Sequence, residues 1–226
     1  MVRIRGVLFD AGGVLTRPVG GRWNPRYDFE TIVLAHHPGL RPELFAPAFA
    51  VGQRVLDAGP GTVERARYHR AILAALGIER PSAALLWELE APAAGPVIEA
   101  YPDVRPALEQ LRERGIGMSV VSDNWAGLEA VFAGLGIAGF FAGFVISEVL
   151  GCRKPDPRMY AEGSRLLALE PAQCLFVDDD PVLVAAARDL GYRGVTLDRG
   201  AAVTGDGVVT GLAQVVRLVV HDRSPF

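Results

Sequence analysis

Polar residues that could do chemistry follow two apolar stretches of this sequence. The stretch VLF at residues 7–9 ends in Asp10, and LFV at residues 175–177 is followed by three aspartates, at positions 178–180. Carboxylates from separate segments are ligands that Mg²⁺ prefers, together with water and phosphate oxygens. A carboxylate can also act as a nucleophile and form an acyl-phosphate. These residues therefore predict phosphoryl chemistry, with Asp10 as the candidate nucleophile.

A hydroxyl and two cations follow two other apolar stretches. Ser122 ends SVVS and is followed by Asp123 and Asn124, while Arg153 and Lys154 come after the stretch near residues 143–147. A serine hydroxyl, free backbone N–H groups and a lysine suit a phosphate. Lys154 is the only lysine in a sequence that otherwise uses arginine, and lysine differs as a compact, flexible point charge. Lys154 is therefore either a functional cation or a lysine that was left by chance in a chain that otherwise uses arginine.

Helix capping is the alternative explanation for aspartates at strand ends. It suits Asp180 and Asp156, because each directly precedes a proline that can open a helix. It does not suit Asp178 and Asp179, since one helix needs one cap, and adjacent buried acids repel unless a cation lies between them. Asp10 precedes Gly-Gly-Val-Leu-Thr, which is a poor helix start but allows close backbone approach to a ligand.

The elements that must position these residues follow from periodicity. A first strand is predicted at residues 3–9, a loop at 16–26 and a helical block from about 28 to 100. After Tyr101, helices alternate with short apolar strands, among them GMSVVS at residues 117–122 and CLFVD at residues 174–178. This alternation is typical of an α/β fold with a parallel sheet and helices on both faces. In such sheets ligands bind beyond the carboxyl ends of the strands. The prediction is a core of residues 1–16 and 101–226, with 17–100 as an inserted helical domain.

Composition excludes several classes of function. The 226 residues carry a net charge of −3 and no basic stripe, so a nucleic-acid partner is not expected. No apolar stretch is long enough to span a membrane, and no leader of the signal-peptide type precedes the first strand. Two cysteines, Cys152 and Cys174, are expected to be reduced. These features predict a soluble, cytoplasmic protein and do not indicate an oligomeric state.

The ordered set of motifs resembles the haloacid dehalogenase-like superfamily. The four segments are VLFDAGGVL, SVVSDNW, LGCRKPDPRMY and LFVDDDPVLVAAARDLG, and the resemblance covers essentially the whole chain. It implies a Rossmann-like core with a small all-α helical cap inserted after the first motif. The SDNW and RKPDPRMY segments look most like the branch of sugar-phosphate phosphatases and the phosphatase domains of epoxide hydrolases.

The resemblance also implies roles for individual residues. Asp10 would be the nucleophile and a Mg²⁺ ligand, and Lys154 would bridge Asp10 and the phosphate. The Gly12 carbonyl and Asp179 would be further metal ligands, with Asp178 close behind them. Ser122 and the backbone N–H groups of Ala11 and Asp123 would bind the phosphoryl group, with Asn124 beside them. Arg22 and Trp125, and also Arg17, Trp23 and Asn24, could contact substrate, although core packing is an equal alternative for the tryptophans.

Two positions depart from the family pattern. Gly12 stands where most phosphatases of this superfamily have a second aspartate that protonates the leaving group and then activates water. General acid–base catalysis contributes about 10²–10⁴-fold, so a weaker enzyme is expected unless another group supplies the proton. Candidate substitutes are His36, His37 and Asp123. Leu183 replaces an Asp or Asn that supports the metal, which predicts looser metal binding.

Three functions follow from this pattern. The first is a Mg²⁺-dependent phosphatase that hydrolyses a small phosphorylated metabolite, for example a sugar phosphate, through an aspartyl-phosphate. The second is a metal-independent haloacid dehalogenase, because those enzymes also lack the second aspartate; they typically lack the acidic pair, which favours the phosphatase. The third is a catalytically weak or inactive protein that binds a phosphorylated ligand.

Overall fold

The structure is a computed structural model that describes residues 2–57, 65–201, 205 and 207–221. The chain divides into two compact units, one of residues 1–17 and 100–226 and the other of residues 18–99. These boundaries lie one residue from those predicted at each junction. Residues 58–64 of the predicted helical block lie outside the described residues. Within the described ranges, no helix combines the length and the apolar character needed to cross a bilayer.

The first unit is built on a six-stranded parallel sheet, which confirms the predicted α/β fold. Its strands are β1 Gly6–Phe9, β4 Gly117–Ser122, β5 Phe144–Ile146, β6 Cys174–Asp178, β7 Arg193–Leu197 and β8 Val208–Val209. Their order is β5-β4-β1-β6-β7-β8, so β1 lies inside the sheet. The strand β8 was not predicted, because two residues carry no periodicity.

Helices cover both faces of this sheet. Val7 and Phe9 of β1 belong to one apolar cluster and Leu8 to another, because successive side chains of a strand point to opposite faces. The first cluster contains residues of α5 Val104–Glu113, α6 Leu128–Gly134 and α10 Leu212–His221, and the second those of α8 Pro157–Leu166 and α9 Pro181–Asp189. Burial on both faces explains why the strands are apolar throughout.

In its described residues the second unit, which we call the insertion, contains four α-helices: α1 Phe29–His36, α2 Phe45–Asp57, α3 Arg65–Ala75 and α4 Ala83–Glu90. They bury a hydrophobic core of their own, centred on Phe29, Ile72 and Leu85. Ser82 caps α4, since its hydroxyl accepts a hydrogen bond from the Leu85 N–H at 3.1 Å. The insertion is thus held together by its own apolar contacts.

Short strands stand where the chain enters and leaves the insertion, and here the sequence prediction was wrong. Thr16–Pro18 forms β2 and Ile98–Ala100 forms β3, and the two make a separate two-stranded sheet. The sequence predicted a loop for the first segment and helix for the second. Three-residue strands show no alternation, and their extended form depends on pairing with a distant segment. The first core strand also begins at Gly6, later than predicted.

Candidate active site

The only lysine lies between two buried carboxylates. The Lys154 Nζ donates to Asp10 Oδ1 at 2.7 Å and to Asp178 Oδ2 at 2.6 Å. All three side chains are buried, with residue exposures of 7%, 8% and 1%. A buried charge of this kind is tolerated only when it is paired. This pairing shows that Lys154 has a specific place in the core, and its role toward a phosphate stays a prediction.

Sheet register brings the two aspartates together. The strands β1 and β6 are parallel neighbours, with Phe9 opposite Val177. Asp10 directly follows β1 and Asp178 ends β6, and the Asp10 N–H donates to the Val177 carbonyl at 2.9 Å. Their carboxylates therefore emerge side by side at the carboxyl edge of the sheet, where ligands bind in open α/β folds.

Negative charge exceeds positive charge in this cluster. Carboxylate oxygens of Asp10, Asp178 and Asp179 lie within 4.8 Å of one another. Burial and the charge of Asp10 raise the pKa of Asp178 to about 7 and also raise the pKa of Asp179. Burial opposes the charged form of Lys154, but the two carboxylates outweigh it and raise the pKa of Lys154. One ammonium cannot neutralise three carboxylates, so the oxygen donors and the excess charge fit a divalent cation.

The turn after β1 approaches Asp179 closely. Gly13 adopts a φ of +75°, and a Cβ there would lie 2.0 Å from Asp179 Oδ2, so only glycine fits. The Ala11 carbonyl accepts from the Leu15 and Thr16 N–H groups and the Thr16 hydroxyl, which fixes the turn. Gly12 lies within this turn, and its carbonyl as a metal ligand, like the Ala11 N–H as a phosphate contact, stays a prediction.

Ser122 and Asp123 lie at the end of the next strand. Ser122 is the last residue of β4, which pairs with β1, and it is buried. The Asp123 Oδ1 accepts the backbone N–H of Lys154 at 3.0 Å, so this carboxylate holds the loop that presents the lysine. The structure therefore joins the predicted second and third motifs. The role of Ser122 toward a phosphoryl group stays a prediction.

Asn124 and Trp125 lie beside this strand end. Asn124 Oδ1 accepts the Trp125 N–H at 3.1 Å, and the Asn124 N–H donates to the Ser147 hydroxyl at 3.0 Å. A cavity of about 400 Å³ is lined by Asp123, Asn124 and Trp125 together with residues of the short helix α7 Ser147–Leu150 and of the loop from α7 to Arg153. Trp125 is 46% exposed, which argues against the core-packing alternative for this side chain.

Several predicted contact residues have partners elsewhere. Arg22 lies in the insertion, where it pairs with Glu30 at 3.1 Å and lies 4.4 Å from the Phe49 ring centroid. His36 Nε2 hydrogen-bonds to Glu88 Oε1 at 3.1 Å, and His37 follows it at the end of α1. The guanidinium of Arg17 lies 5.3 Å from the Tyr101 ring centroid. A substrate role for any of them stays a prediction.

The capping assignments are confirmed. Asp180 Oδ1 accepts the Val182 N–H at 2.8 Å, and Asp156 Oδ1 accepts the Arg158 N–H at 2.9 Å. Leu183 packs against the apolar cluster below β6, and its carbonyl accepts from the Tyr160 hydroxyl at 3.1 Å.

Arg199 is a positioning residue that the sequence reasoning missed. Its Nη2 donates to the Val14 carbonyl at 2.6 Å and its Nε to the Gly13 carbonyl at 3.2 Å. It also pairs with Asp103 at 3.1 Å and stacks over the Tyr101 ring. Arg199 thus braces the turn that approaches Asp179. The available signal was its place shortly after β7, at the same edge of the sheet as the other polar residues.

Curated relatives of this chain include both phosphatases and dehalogenases. A phosphatase of Mycobacterium tuberculosis is 34% identical over 119 residues, 52% of this chain and 54% of the relative. A glyceraldehyde 3-phosphate phosphatase of Methanopyrus kandleri is 39% identical over 83 residues, 36% of each protein. An (S)-2-haloacid dehalogenase of a Pseudomonas species is 26% identical, covering 54% of this chain and 56% of the relative. The chain thus spans about half the length of these relatives, or less.

Solved structures share the whole fold at low identity. A haloacid dehalogenase-like phosphatase from Thermococcus onnurineus aligns with a TM-score of 0.60 at 17% identity, covering 96% of this chain and 98% of the other. An L-2-haloacid dehalogenase from Xanthobacter autotrophicus aligns with a TM-score of 0.57 at 19% identity over the same shares. The model of the haloacid dehalogenase-like hydrolases matches residues 4–191, a span that includes all four motifs and the insertion. The chain therefore belongs to the haloacid dehalogenase-like hydrolase family.

Proposed function

We propose that this protein is a Mg²⁺-dependent phosphatase that acts through an aspartyl-phosphate at Asp10. The observation that carries the proposal is the cluster of three carboxylates, two of which bond to one buried ammonium. The acidic pair distinguishes it from a metal-independent dehalogenase, because such an enzyme binds no cation that would offset the excess negative charge. Phosphatases among the relatives add support.

Each residue of the cluster has a distinct task in this mechanism. An Asp10 carboxylate oxygen forms a bond to phosphorus while the bond from phosphorus to the leaving alcohol oxygen breaks. Water then attacks phosphorus, which releases inorganic phosphate and restores the Asp10 carboxylate. Lys154 holds Asp10 in place and offsets its repulsion from the incoming phosphate, while Asp178 keeps the ammonium oriented. Ser122 and the N–H groups of Ala11 and Asp123 would bind the phosphoryl oxygens.

Asp10, Asp179 and the Gly12 carbonyl would hold the Mg²⁺. Asp178 lies behind them, because one of its oxygens is already bound to Lys154 and the other accepts the Asp180 N–H at 2.9 Å. When bound, the ion supplies positive charge that offsets the repulsion between the nucleophile and the phosphate. Relief of the excess negative charge in the cluster is the physical reason for its binding.

The leaving group must obtain its proton without a side chain at position 12. The Asp123 carboxylate is engaged by the Lys154 N–H, so it positions the lysine. The enzyme should therefore favour substrates whose leaving group needs little protonation, and aryl phosphates should turn over faster than alkyl phosphates. The proposed natural substrate is a small phosphorylated metabolite such as a sugar phosphate, with neither nucleic acid nor membrane as partner. The cavity at Asn124 and Trp125 offers contacts for it.

A paired assay tests the proposal. Phosphate release from para-nitrophenyl phosphate is measured with Mg²⁺ and with chelator, in the native protein and in Asp10→Asn. Mg²⁺-dependent release that Asp10→Asn abolishes is the expected result. Halide release from 2-chloropropionate without metal would assign the protein to the dehalogenases, which several relatives represent. Binding of a phosphate ester without either reaction would assign the inactive ligand-binding role.

A further inference from the structure

The insertion contains a cavity of its own. Its volume is about 420 Å³, within the range of small-molecule sites. The side chains that line it include Trp23, Arg26, Arg65, Tyr68, His69 and Leu89. Every lining residue lies between positions 23 and 97. None of the residues assigned above to the carboxylate cluster takes part. The two sites are therefore built from different residues.

His69 lines this cavity and is buried without a complete set of partners. It is 4% exposed, and its Nδ1 has no hydrogen-bond partner within the described part of the chain. The ring packs between Phe29 and Tyr68, each with its centroid 5.6 Å away. Burial, Arg65 and Arg26 lower the pKa of His69 to about 4, so at neutral pH the ring is uncharged. A buried polar atom without a partner is rare and costly, and it favours a ligand that completes the hydrogen bond.

Two arginines at the cavity differ in whether a carboxylate pairs with their positive charge. Arg26 pairs with Asp28 at 2.5 Å and also donates to the carbonyls of Glu88 and Ala91, so it holds α4 and the segment after it. Arg65 has no ion pair or hydrogen bond to any residue that the structure describes. Among the described residues, the cavity lining thus presents one positive charge, that of Arg65, without an ionic partner, which matches a single negative charge on a ligand.

Most of the remaining wall is apolar. Trp23, which is 52% exposed, lines the cavity together with Leu89 and Val97. Burial raises the pKa of Tyr68 to about 12, so its phenol stays protonated and cannot add a negative charge. An occupant therefore needs one anionic end and an apolar or aromatic body. An inorganic phosphate dianion carries two negative charges instead of one, and it has no apolar part.

We propose that this cavity binds a small organic monocarboxylate with an apolar body. The carboxylate lies against Arg65 and accepts a hydrogen bond from the His69 imidazole, and the body packs against Trp23 and Leu89. This inference does not rest on the proposed phosphatase activity, because it uses only residues of the insertion.

Titration of the full-length protein with benzoate tests the proposal. The imidazole nitrogens are followed by NMR in ¹⁵N-histidine-labelled protein, which has four histidines, with His69→Phe to assign the signal. Millimolar benzoate should move the His69 resonances and leave the others in place. Arg65→Gln should weaken binding by about tenfold or more, since hydrogen bonds to charged groups contribute strongly. Arg67→Gln, an exposed change on the same helix, should leave the affinity unchanged.

Three results would overturn this assignment. A His69 that does not respond to benzoate would exclude the site. An equal response to benzyl alcohol, which has the same body without the charge, would show an apolar cavity only. Benzoate binding that is lost in Asp10→Asn but intact in Arg65→Gln would place the anion among the core residues instead.

Discussion

The two units of this protein bury polar groups in opposite ways. In the core, the buried side chains of Lys154, Asp10 and Asp178 bond to one another, although burial and the charge of Asp10 raise the pKa of Asp178. In the insertion, His69 is buried as a neutral ring, and its Nδ1 has no hydrogen-bond partner among the residues that the structure describes. The core therefore pairs its buried ionisable groups with one another, whereas the insertion keeps a buried ring uncharged through a lowered pKa.

This difference follows from how each unit is built. Parallel strands end at a common edge, so the core register forces acidic residues from β1 and β6 together, and a cation must join them. Helices in the insertion meet through apolar faces, and a polar ring among them becomes uncharged. Ionisable groups therefore meet at the strand ends of the core, whereas the insertion buries a neutral polar ring.

The largest expected effect comes from removing the nucleophile. Asp10→Asn keeps the size of the side chain but not its charge, and it should lower phosphate release by at least about 10³-fold. Steady-state turnover of para-nitrophenyl phosphate with Mg²⁺ measures it. Asp189→Asn, an exposed change in α9, is the matched control and should stay within twofold. Equal losses in both variants would argue against Asp10 as the nucleophile.

Removing the cation should break the charge pairing of the core. Lys154→Met leaves buried carboxylates without a partner and should lower the free energy of unfolding by about 3–5 kcal/mol at neutral pH. Urea denaturation measures this loss. Arg217→Met, an exposed change in α10, should cost less than about 0.5 kcal/mol. A Lys154→Met variant as stable as this control would show that the ammonium is not needed to hold the carboxylates.

The neutral histidine of the insertion predicts a pH dependence. The pKa of His69 is about 4 in the folded protein and 6.5 ordinarily. Between these two pH values the unfolded chain therefore binds a proton at His69, whereas the folded chain does not. Stability is therefore complete above pH 6.5 and falls, by about 3 kcal/mol, as the pH drops toward 4. His69→Phe should remove this contribution when unfolding is measured across that range. An unchanged pH slope in the variant would mean that His69 takes up its proton in the folded state as well.

A smaller effect is expected at the turn that meets Asp179. In Gly13→Ala the new methyl group must displace the Asp179 carboxylate, and Mg²⁺ affinity in the turnover assay should fall about 10–100-fold. Gly115→Ala is the matched control, because Gly115 has a φ of +70° with no atom within 4 Å of the added Cβ. It should cost about 1 kcal/mol of stability and leave Mg²⁺ dependence unchanged. Similar Mg²⁺ dependence in both variants would remove Asp179 from the metal site.

The sequence predicted those features that depend on local pattern. The strands β4 and β6 were predicted at their observed bounds, because continuous apolar runs bounded by polar residues indicate buried strands. The grouping of Asp10, Lys154 and Asp178 followed from one rule, that parallel strands present their carboxyl ends at one edge.

Features that depend on distant contacts could not be predicted. The strands β2 and β3 are three residues each and exist only as a pair. The position of Arg199 after β7 indicates the edge of the sheet at which it lies, but not its contacts with Gly13 and Val14, which are far from it in the chain. The sequence does not indicate that His69 is buried, because this follows from the packing of its ring against Phe29 and Tyr68.

The most direct test of the central claim is a crystal structure of the protein with Mg²⁺ and beryllofluoride. We expect beryllium bonded to an Asp10 carboxylate oxygen, a metal ion held by Asp10 and Asp179, and the Lys154 ammonium in contact with a fluorine atom. An unmodified Asp10, or an ion bound away from Asp179, would contradict it.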